Sequence, residues 1–225
     1  GMPGPSQIVA IDGPSGAGKS TVARHVADAL GFAFLDTGAM YRAATLRALR
    51  AGIDLDDPEA TAECTRAMDL QVRETDGATR VLVDGQDVTG EIRSPEVTRL
   101  IYKLDQNPAV RQHLVELQRA FGRQRPTVAE GRDMGTVVFP GAACKVYLDA
   151  SLDERTRRRA CVLEALGREV DYEALRRELH ERDAQSMNRE VSPLRRAEDA
   201  VLVDTTGMAF EQVVEKLVAL ARERL

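Results

Sequence analysis

The chain has 225 residues, of which 43% are hydrophobic, 30% are charged and 4% are aromatic, and its formal net charge is -5. This composition predicts a globular protein with one substantial core, and the acidic balance argues against a protein that binds nucleic-acid polymers or membrane surfaces. The three cysteines are widely spaced and odd in number, which favours reduced thiols in the cytoplasm over a disulfide framework or a zinc site.

The first motif along the chain is a glycine-rich loop between a predicted strand and a predicted helix. It fits the pattern GxxxxGK[ST], follows the apolar run Ile8–Ile11, and precedes a helical pattern that stops at Gly31. In this setting the loop and the helix N-terminus can bind a polyphosphate, Lys19 can reach its β- and γ-phosphates, and the Ser20 hydroxyl can bind Mg²⁺. A chance glycine-rich turn is the alternative, and the flanking strand and helix argue against it. The predicted ATP-binding residues are Gly13, Pro14, Ser15, Gly16, Ala17, Gly18, Lys19, Ser20 and Thr21.

Short apolar runs that alternate with helical patterns continue along the chain. Such alternation predicts an α/β fold, in which a parallel five-stranded sheet is covered by helices on both faces and ligands bind at the carboxyl ends of the strands. The predicted strands are Ile8–Ile11, Ala33–Leu35, Thr127–Ala129, Lys145–Leu148 and Val201–Val203.

One inserted stretch interrupts this alternation with strand-like patterns. Between Leu70 and Glu91, turn signals at Asp76-Gly77 and Asp84-Gly85 separate short apolar runs, which predicts a small antiparallel sheet. We expect an inserted subdomain at about residues 54–99. A surface hairpin without a role in binding is the alternative.

A second insertion, from about residue 153 to 190, is helical and rich in arginine. Acid–arginine pairs at i,i+4 spacing, such as Glu154–Arg158, are typical of exposed helix faces. Arg157 and Arg158 also follow a predicted strand directly, so a helical lid that places arginines on phosphate is the second interpretation. We expect a single unit over residues 6–225, with its core in about residues 6–53, 100–152 and 191–225.

Arginines follow two of the predicted strands at the same edge of the sheet as the glycine-rich loop. Arg42 and Arg132 bring more positive charge than one triphosphate needs, which predicts a second anionic ligand. If that acceptor is itself a phosphate, it is already ionised and needs no general base. Asp133 can accept a hydrogen bond from the exocyclic amine of cytosine and would repel the carbonyl of uracil. A salt bridge to neighbouring arginines is the alternative role for Asp133.

Taken together, three of these stretches resemble one family, the bacterial cytidylate kinases of the nucleoside monophosphate kinase group. The similarity covers nearly the whole chain, and the stretch Gly131-Arg132-Asp133-Met134-Gly135-Thr136 is its most specific part. The other two stretches are Ile11–Lys19 and Thr37–Arg42.

The resemblance implies a P-loop kinase that transfers phosphate from ATP to CMP or dCMP with Mg²⁺, in which the inserted sheet helps to bind the acceptor. We predict catalytic roles for Lys19, Arg132, Arg157 and Arg158. Asp36, which ends the second predicted strand, is a candidate second metal residue through water or, equally, a loop cap. The implied acceptor-binding residues are Thr37, Tyr41, Arg42, Arg111, Arg132, Asp133, Arg182 and Arg189.

Two positions depart from the family's pattern. Tyr102 stands where a serine is common near the cytosine, and Ser186 stands where an aspartate commonly meets the ribose. The preference between CMP and dCMP and the tolerance of UMP therefore stay open, and a kinase for another nucleoside monophosphate such as UMP is the alternative. A GTPase-like switch is more remote, because Asp204-Thr205-Thr206-Gly207 fits DxxG but the chain has no NKxD.

Further expectations concern the protein as a whole. We expect a cytoplasmic protein, because no apolar segment is long enough to cross a bilayer and no signal-peptide pattern is present. We also expect a monomer that binds ATP and CMP or dCMP. Gly1 before Met2 is interpreted as a cloning scar.

Overall fold

The computed structural model describes residues 7–75 and 77–225. Three residues named in the predictions lie outside the described residues. They are Gly1 of the predicted cloning scar, Ser6 at the predicted start of the core, and Asp76 of the first predicted hairpin turn. The chain divides into two compact units, and the second runs from Asp36 to Phe121. The first comprises the residues up to Leu35 and those from Gly122 to Leu225. No helix in the described ranges is long and apolar enough to cross a membrane.

A five-stranded sheet forms the centre of the first unit. Its order is β2-β6-β1-β7-β8, and β1 pairs in parallel with both β6 and β7. Asp12, the last residue of β1, therefore lies between Gly131 and Tyr147. This sheet confirms the predicted fold class. The strands are β1 (Ile8–Asp12), β2 (Ala33–Asp36), β6 (Thr127–Gly131), β7 (Cys144–Asp149) and β8 (Val201–Asp204).

Helices pack on this sheet around an apolar core. Val9 and Ile11 of β1 are fully buried with Val26 and Leu217 from two of the helices. A buried strand in the centre of a parallel sheet is apolar on both faces, which is why these runs show no alternation. The helices are α1 (Lys19–Leu30), α7 (Leu152–Ala165), α8 (Tyr172–Asn188) and α9 (Phe210–Arg224), and α6 (Pro108–Gln124) ends in this unit.

A π-helical turn, Met134–Val138, follows β6 after the two residues Arg132 and Asp133. The carbonyl of Met134 accepts from the Phe139 N–H at 2.7 Å, which is the wide i to i+5 pattern. Turns of this kind often occur at functional sites.

The second unit has its own small sheet, in the antiparallel order β3-β4-β5. Asp84 and Gly85 both have positive φ between β4 and β5, as a two-residue type I′ hairpin requires. The sheet agrees with the antiparallel strands predicted for the insertion, whose bounds, like those of the predicted lid, stay predictions. The elements are α2 (Thr37–Arg50), α3 (Pro58–Arg66), β3 (Leu70–Thr75), β4 (Ala78–Val83), β5 (Gln86–Asp87), a 3-10 turn (Glu91–Arg93), α4 (Pro95–Leu100), α5 (Tyr102–Asp105) and most of α6.

Candidate functional site

The glycine-rich loop connects β1 to α1 within the first unit. Gly13 has a φ of 152°, and a Cβ there would lie 2.0 Å from the main-chain oxygen of Leu148, so only glycine fits. Gly18 has a φ of 79° and precedes the first residue of α1. The N-terminus of α1, whose first N–H groups have no partner within the helix, therefore adjoins the loop, as in a phosphate-binding loop.

Lys19 and Ser20 share one acidic partner, Glu130, at the end of β6. The Lys19 ammonium lies 3.5 Å from one carboxylate oxygen of Glu130, and the Ser20 hydroxyl donates to the other at 3.2 Å. Lys19 also donates to the carbonyl of Pro14 at 3.3 Å, and burial lowers its pKa. Glu130 was not among the predicted residues. Glu130 could have been recognised in the sequence as an acidic residue near the end of β6, the strand that pairs with β1, which leads into the glycine-rich loop.

Arg132 connects the glycine-rich loop to α8. Its guanidinium donates to the Ser15 hydroxyl at 2.5 Å and also to the hydroxyl of Ser186. Burial and, secondly, the nearby charge of Arg132 lower the pKa of Arg182 to about 10, so the Arg182 guanidinium stays charged at neutral pH. Arg132 therefore places positive charge against the loop, and Arg182 is close enough to interact with that charge, so an anion bound there would be favoured.

A buried ion pair that the sequence pattern does not reveal holds the loop from the other side. The Arg155 guanidinium lies 2.5 Å from the carboxylate of Asp183, and the two side chains are 8% and 9% exposed. Arg155 donates to the Ser15 carbonyl at 2.9 Å, and Asp183 accepts from the Ser15 N–H at 3.3 Å. Both main-chain groups of Ser15 are thereby fixed by side chains from α7 and α8.

Asp12 and Asp133 both lie at the start of the π-helical turn, and both are buried. Asp12 accepts from the N–H groups of Met134 and Gly135. Burial raises the pKa of Asp12 to about 7, although these two hydrogen bonds act in the opposite direction.

The predicted lid arginines are held in ion pairs on α7. Arg157 and Arg158 both donate to Glu154, and this pairing lowers the pKa of Glu154 to about 2. Arg158 also donates to the hydroxyl and the carbonyl of Thr205, at 2.9 Å each. Arg189, at the end of α8, donates to the carbonyl of Ser192 at 2.7 Å.

The remaining predicted residues lie in the second unit, around the start of α2. The Arg111 guanidinium lies 5.2 Å from the centre of the Tyr41 ring, so these two predicted residues are together. Arg42 donates to the Ile92 carbonyl at 3.1 Å and to the Thr98 hydroxyl at 2.9 Å.

Thr37 is the first residue of α2, and Asp36 is its N-cap. The Asp36 carboxylate accepts from the Ala39 N–H at 3.1 Å, which is the role of a cap, and lies 3.4 Å from the guanidinium of Arg93. This arrangement occupies Asp36 at the helix terminus, and its role at a metal stays a prediction. Tyr102 is the first residue of α5 and is partly buried.

The chain is similar over nearly its full length to several known proteins. The chain is 46% identical over 216 residues to the cytidylate kinase of Symbiobacterium thermophilum, and the match covers 96% of each chain. It is 48% identical over 212 residues to the cytidylate kinase of Carboxydothermus hydrogenoformans, covering 94% of this chain and 96% of the relative. The cytidylate kinase of Klebsiella pneumoniae is 45% identical over 218 residues, with coverage of 97% and 96%.

Solved structures provide a more distant likeness. A gluconokinase from Sinorhizobium meliloti 1021 is 20% identical, with a TM-score of 0.45 and coverage of 96% of this chain and 92% of that one, which is too distant to bear on activity. The model of the cytidylate kinase family, in contrast, matches residues 9–223. With its phosphate loop, its Arg132-Asp133 turn and this nearly full-length match, the chain belongs to the cytidylate kinase family.

Proposed function

We propose that this protein transfers the γ-phosphoryl group of ATP directly to the phosphate of CMP or dCMP. The observation that carries the proposal is the contact between Arg132 and Ser15 of the phosphate loop, which puts an acceptor-side arginine against the donor-binding loop. We infer the identity of the acceptor nucleotide from the relatives, which are named cytidylate kinases.

The donor side is formed by the glycine-rich loop and the first turn of α1. Main-chain N–H groups of residues 16–21 would surround the phosphates, and Lys19 would neutralise charge on the β- and γ-phosphates. Glu130 holds Lys19 and Ser20 in place before ATP arrives, because it contacts both side chains. Preorganised charge of this kind costs no rearrangement when the phosphoryl group moves.

The residues present fit a magnesium ion that is bound mainly by the nucleotide. No group of three or more His, Cys, Asp or Glu residues that could hold a metal occurs in residues 7–75 and 77–225. Mg²⁺ in kinases is commonly bound by one or two protein oxygens together with phosphates and water. Ser20 would supply a hydroxyl, and Glu130, which is hydrogen-bonded to it, would orient that hydroxyl. When bound, Mg²⁺ would supply positive charge that offsets the negative charge of the nucleotide's phosphates.

On the acceptor side, Arg42, Arg132 and Arg189 would bind the phosphate, and Arg182 would lie near the ribose. Thr37, Tyr41 and Arg111 would contact the rest of the nucleotide. Asp133 would accept a hydrogen bond from the cytosine amine, which distinguishes cytosine from uracil.

No general base is required in this scheme. The attacking atom is a phosphate oxygen that is already ionised at neutral pH, so the protein supplies alignment and charge. Arg157 and Arg158 would leave Glu154 and stabilise the transferring phosphoryl group from α7. We propose a cytoplasmic monomer, with ATP and CMP or dCMP as its ligands.

A coupled assay of ADP formation with ATP and Mg²⁺ tests the proposal on CMP, dCMP, UMP, AMP and dTMP. We expect turnover of CMP and dCMP, with a lower kcat/KM for UMP. Turnover of UMP, AMP or dTMP without turnover of CMP would overturn the proposal, and a preference for UMP would favour the alternative of a uridylate kinase. The ratio of CMP to dCMP turnover measures the consequence of Ser186, whose hydroxyl is already bound by Arg132.

A further inference from the structure

We propose that Asp12 is a positioning residue for base selection, because it caps the π-helical turn Met134–Val138 in place of Asp133. The inference rests on the proposed function, in which the Asp133 carboxylate contacts the cytosine amine. It concerns a residue that lies on a different strand and does not itself touch the base.

The two oxygens of Asp12 bind the first two N–H groups of the turn. The Met134 N–H donates to Oδ1 at 2.8 Å, and the Gly135 N–H donates to Oδ2 at 2.8 Å. Asp12 is 5% exposed, so water does not compete for these hydrogen bonds. Hydrogen bonds to a carboxylate are roughly twice as strong as those between neutral groups. The start of the turn is therefore fixed to the end of β1.

Asp133 occupies the N-cap position of the same turn, yet its side chain makes no capping hydrogen bond. Aspartate is one of the residues that most often cap a helix with their own side chain. Here the main-chain carbonyl of Asp133 holds the turn, since it accepts from the N–H groups of Val137 at 2.9 Å and Val138 at 3.1 Å. Asp12 binds one of the N–H groups that the Asp133 carboxylate would otherwise cap, that of Gly135. The Asp133 side chain therefore keeps a direction that capping would change.

Gly135 leaves room for the side chain of Lys145 beside the turn. A Cβ on Gly135 would lie 3.1 Å from Cδ of Lys145, whereas its distance of 3.5 Å from Oδ2 of Asp12 is an ordinary van der Waals contact. The Lys145 side chain is held there, because its ammonium donates to the Pro140 carbonyl and to Asp199. The glycine therefore helps the start of the turn to pack between Asp12 and Lys145.

Loss of the Asp12 carboxylate should convert Asp133 from a base-reading residue into a helix cap. In the variant Asp12→Asn, one oxygen can still accept, but the amide nitrogen faces an N–H group, and the orphaned N–H then competes for the Asp133 carboxylate. We expect the ratio of kcat/KM for CMP to that for UMP to fall by about tenfold, the size of one lost base contact. We also expect a higher KM for CMP.

The test measures both nucleotides with the wild type, Asp12→Asn, Asp133→Asn and the double variant. If Asp12 acts through Asp133, the double variant discriminates no worse than Asp133→Asn alone. Asp204→Asn is the matched control, since Asp204 also ends a strand and accepts a main-chain N–H, from Thr206 at 3.0 Å, but is exposed. We expect it to keep the wild-type ratio.

A second variant keeps the inference open to refutation if Asp12→Asn does not fold. Asp12→Ala removes the charge without placing a donor against a donor, and its crystal structure should show the Asp133 carboxylate within hydrogen-bond distance of the N–H of Gly135 or Thr136. An unchanged Asp133 together with an unchanged CMP-to-UMP ratio would overturn the inference.

Failure of the inference and failure of the proposed function give different results. If the wild type does not prefer CMP, or if Asp133→Asn keeps the wild-type preference, the assignment of Asp133 to the base is wrong. If Asp133→Asn loses the preference but Asp12→Asn keeps it, only the role of Asp12 is wrong.

Discussion

Individual charged residues in the first unit are held by contacts that exist before any nucleotide binds. Lys19 is buried beside Glu130, and this carboxylate also accepts from Ser20. Burial lowers the pKa of Lys19, which shows that burying its charge costs free energy unless a partner or ligand stabilises the ammonium. Such a residue within a phosphate loop indicates a functional role.

Replacement of Lys19 by Met should abolish most of the phosphoryl transfer. Met has a similar length but no charge, so the developing charge on the β- and γ-phosphates loses one stabilising partner, and we expect kcat to fall by about 100-fold to 1,000-fold. Steady-state kinetics with saturating CMP measures the effect. Lys216→Met is the control, because Lys216 is exposed on α9. Equal losses in both variants would contradict the role given to Lys19.

The raised pKa of Asp12 makes its contribution to stability depend on pH. An acid whose pKa is about 7 in the folded protein and 3.8 as a model compound binds its proton more tightly when folded. This contribution is present in full below pH 4 and is lost as the pH rises through about 7, and its upper limit is about 4 kcal/mol.

Urea unfolding of the wild type and Asp12→Asn between pH 4 and pH 8 tests this expectation. The free energy of unfolding of the wild type should fall relative to that of the variant as the pH rises. Lys19 opposes this trend and Asp133 strengthens it, since they act on Asp12 with opposite charge. A difference between the two proteins that is constant with pH would show that Asp12 titrates at the same pH in both states.

At the scale of secondary structure elements, α7 and α8 are joined to the phosphate loop by Arg155 and Asp183. The pair is buried, and each partner also binds a main-chain group of Ser15. The helices that carry Arg157 and Arg182 are therefore attached to the phosphate loop at Arg155 and Asp183.

Removal of one member of this pair should destabilise the protein more than removal of both. In Arg155→Met, the Asp183 carboxylate remains buried without its cation, and we expect a loss of about 3–5 kcal/mol in the free energy of unfolding. The double variant Arg155→Met/Asp183→Leu should recover part of that loss. Chemical denaturation of the wild type, Arg155→Met, Asp183→Leu and the double variant measures the coupling, and additive losses would mean that the two side chains act independently.

The strands and the phosphate loop could be predicted from the sequence, whereas the contacts between distant elements could not. Apolar runs predict buried strands because a parallel sheet is covered on both faces, and the GxxxxGK[ST] spacing specifies its own turn. Arg155 and Asp183 lie 28 residues apart in helical patterns that contain many similar charges, so nothing distinguishes this pair from the exposed ones. Asp12 is separated by 122 residues from Met134, and no local sequence pattern predicts the π-helical turn.

On the scale of the whole molecule, each of the two compact units contains at least one cysteine in a defined environment. Cys64 and Cys144 are buried, whereas Cys161 is exposed on α7. Burial raises the pKa of Cys144 to about 11, which further reduces its thiolate fraction at neutral pH.

One thiol should therefore react in the folded protein and three in the unfolded protein. Titration with a chromophoric disulfide at pH 8 should give about one fast equivalent in buffer and about three in denaturant. Cys161→Ser should remove the fast equivalent, while Cys144→Ser should leave it. Two or more fast equivalents in buffer would mean that one unit opens readily on the timescale of the reaction.

Because Arg155 and Asp183 both bind the main chain of Ser15, segments of related proteins cannot be exchanged freely in chimeras. A chimera that takes α7 from one parent and α8 from another would keep a working phosphate loop only if both parents supply the matching charge. If only one partner arrives, a lone buried charge lies directly against the main chain of the loop, and the damage spreads from the exchanged helices to the nucleotide site. The phosphate loop of this chain is thus not a transplantable segment of eight residues, because two side chains about 140 and 170 residues further along the chain hold its shape.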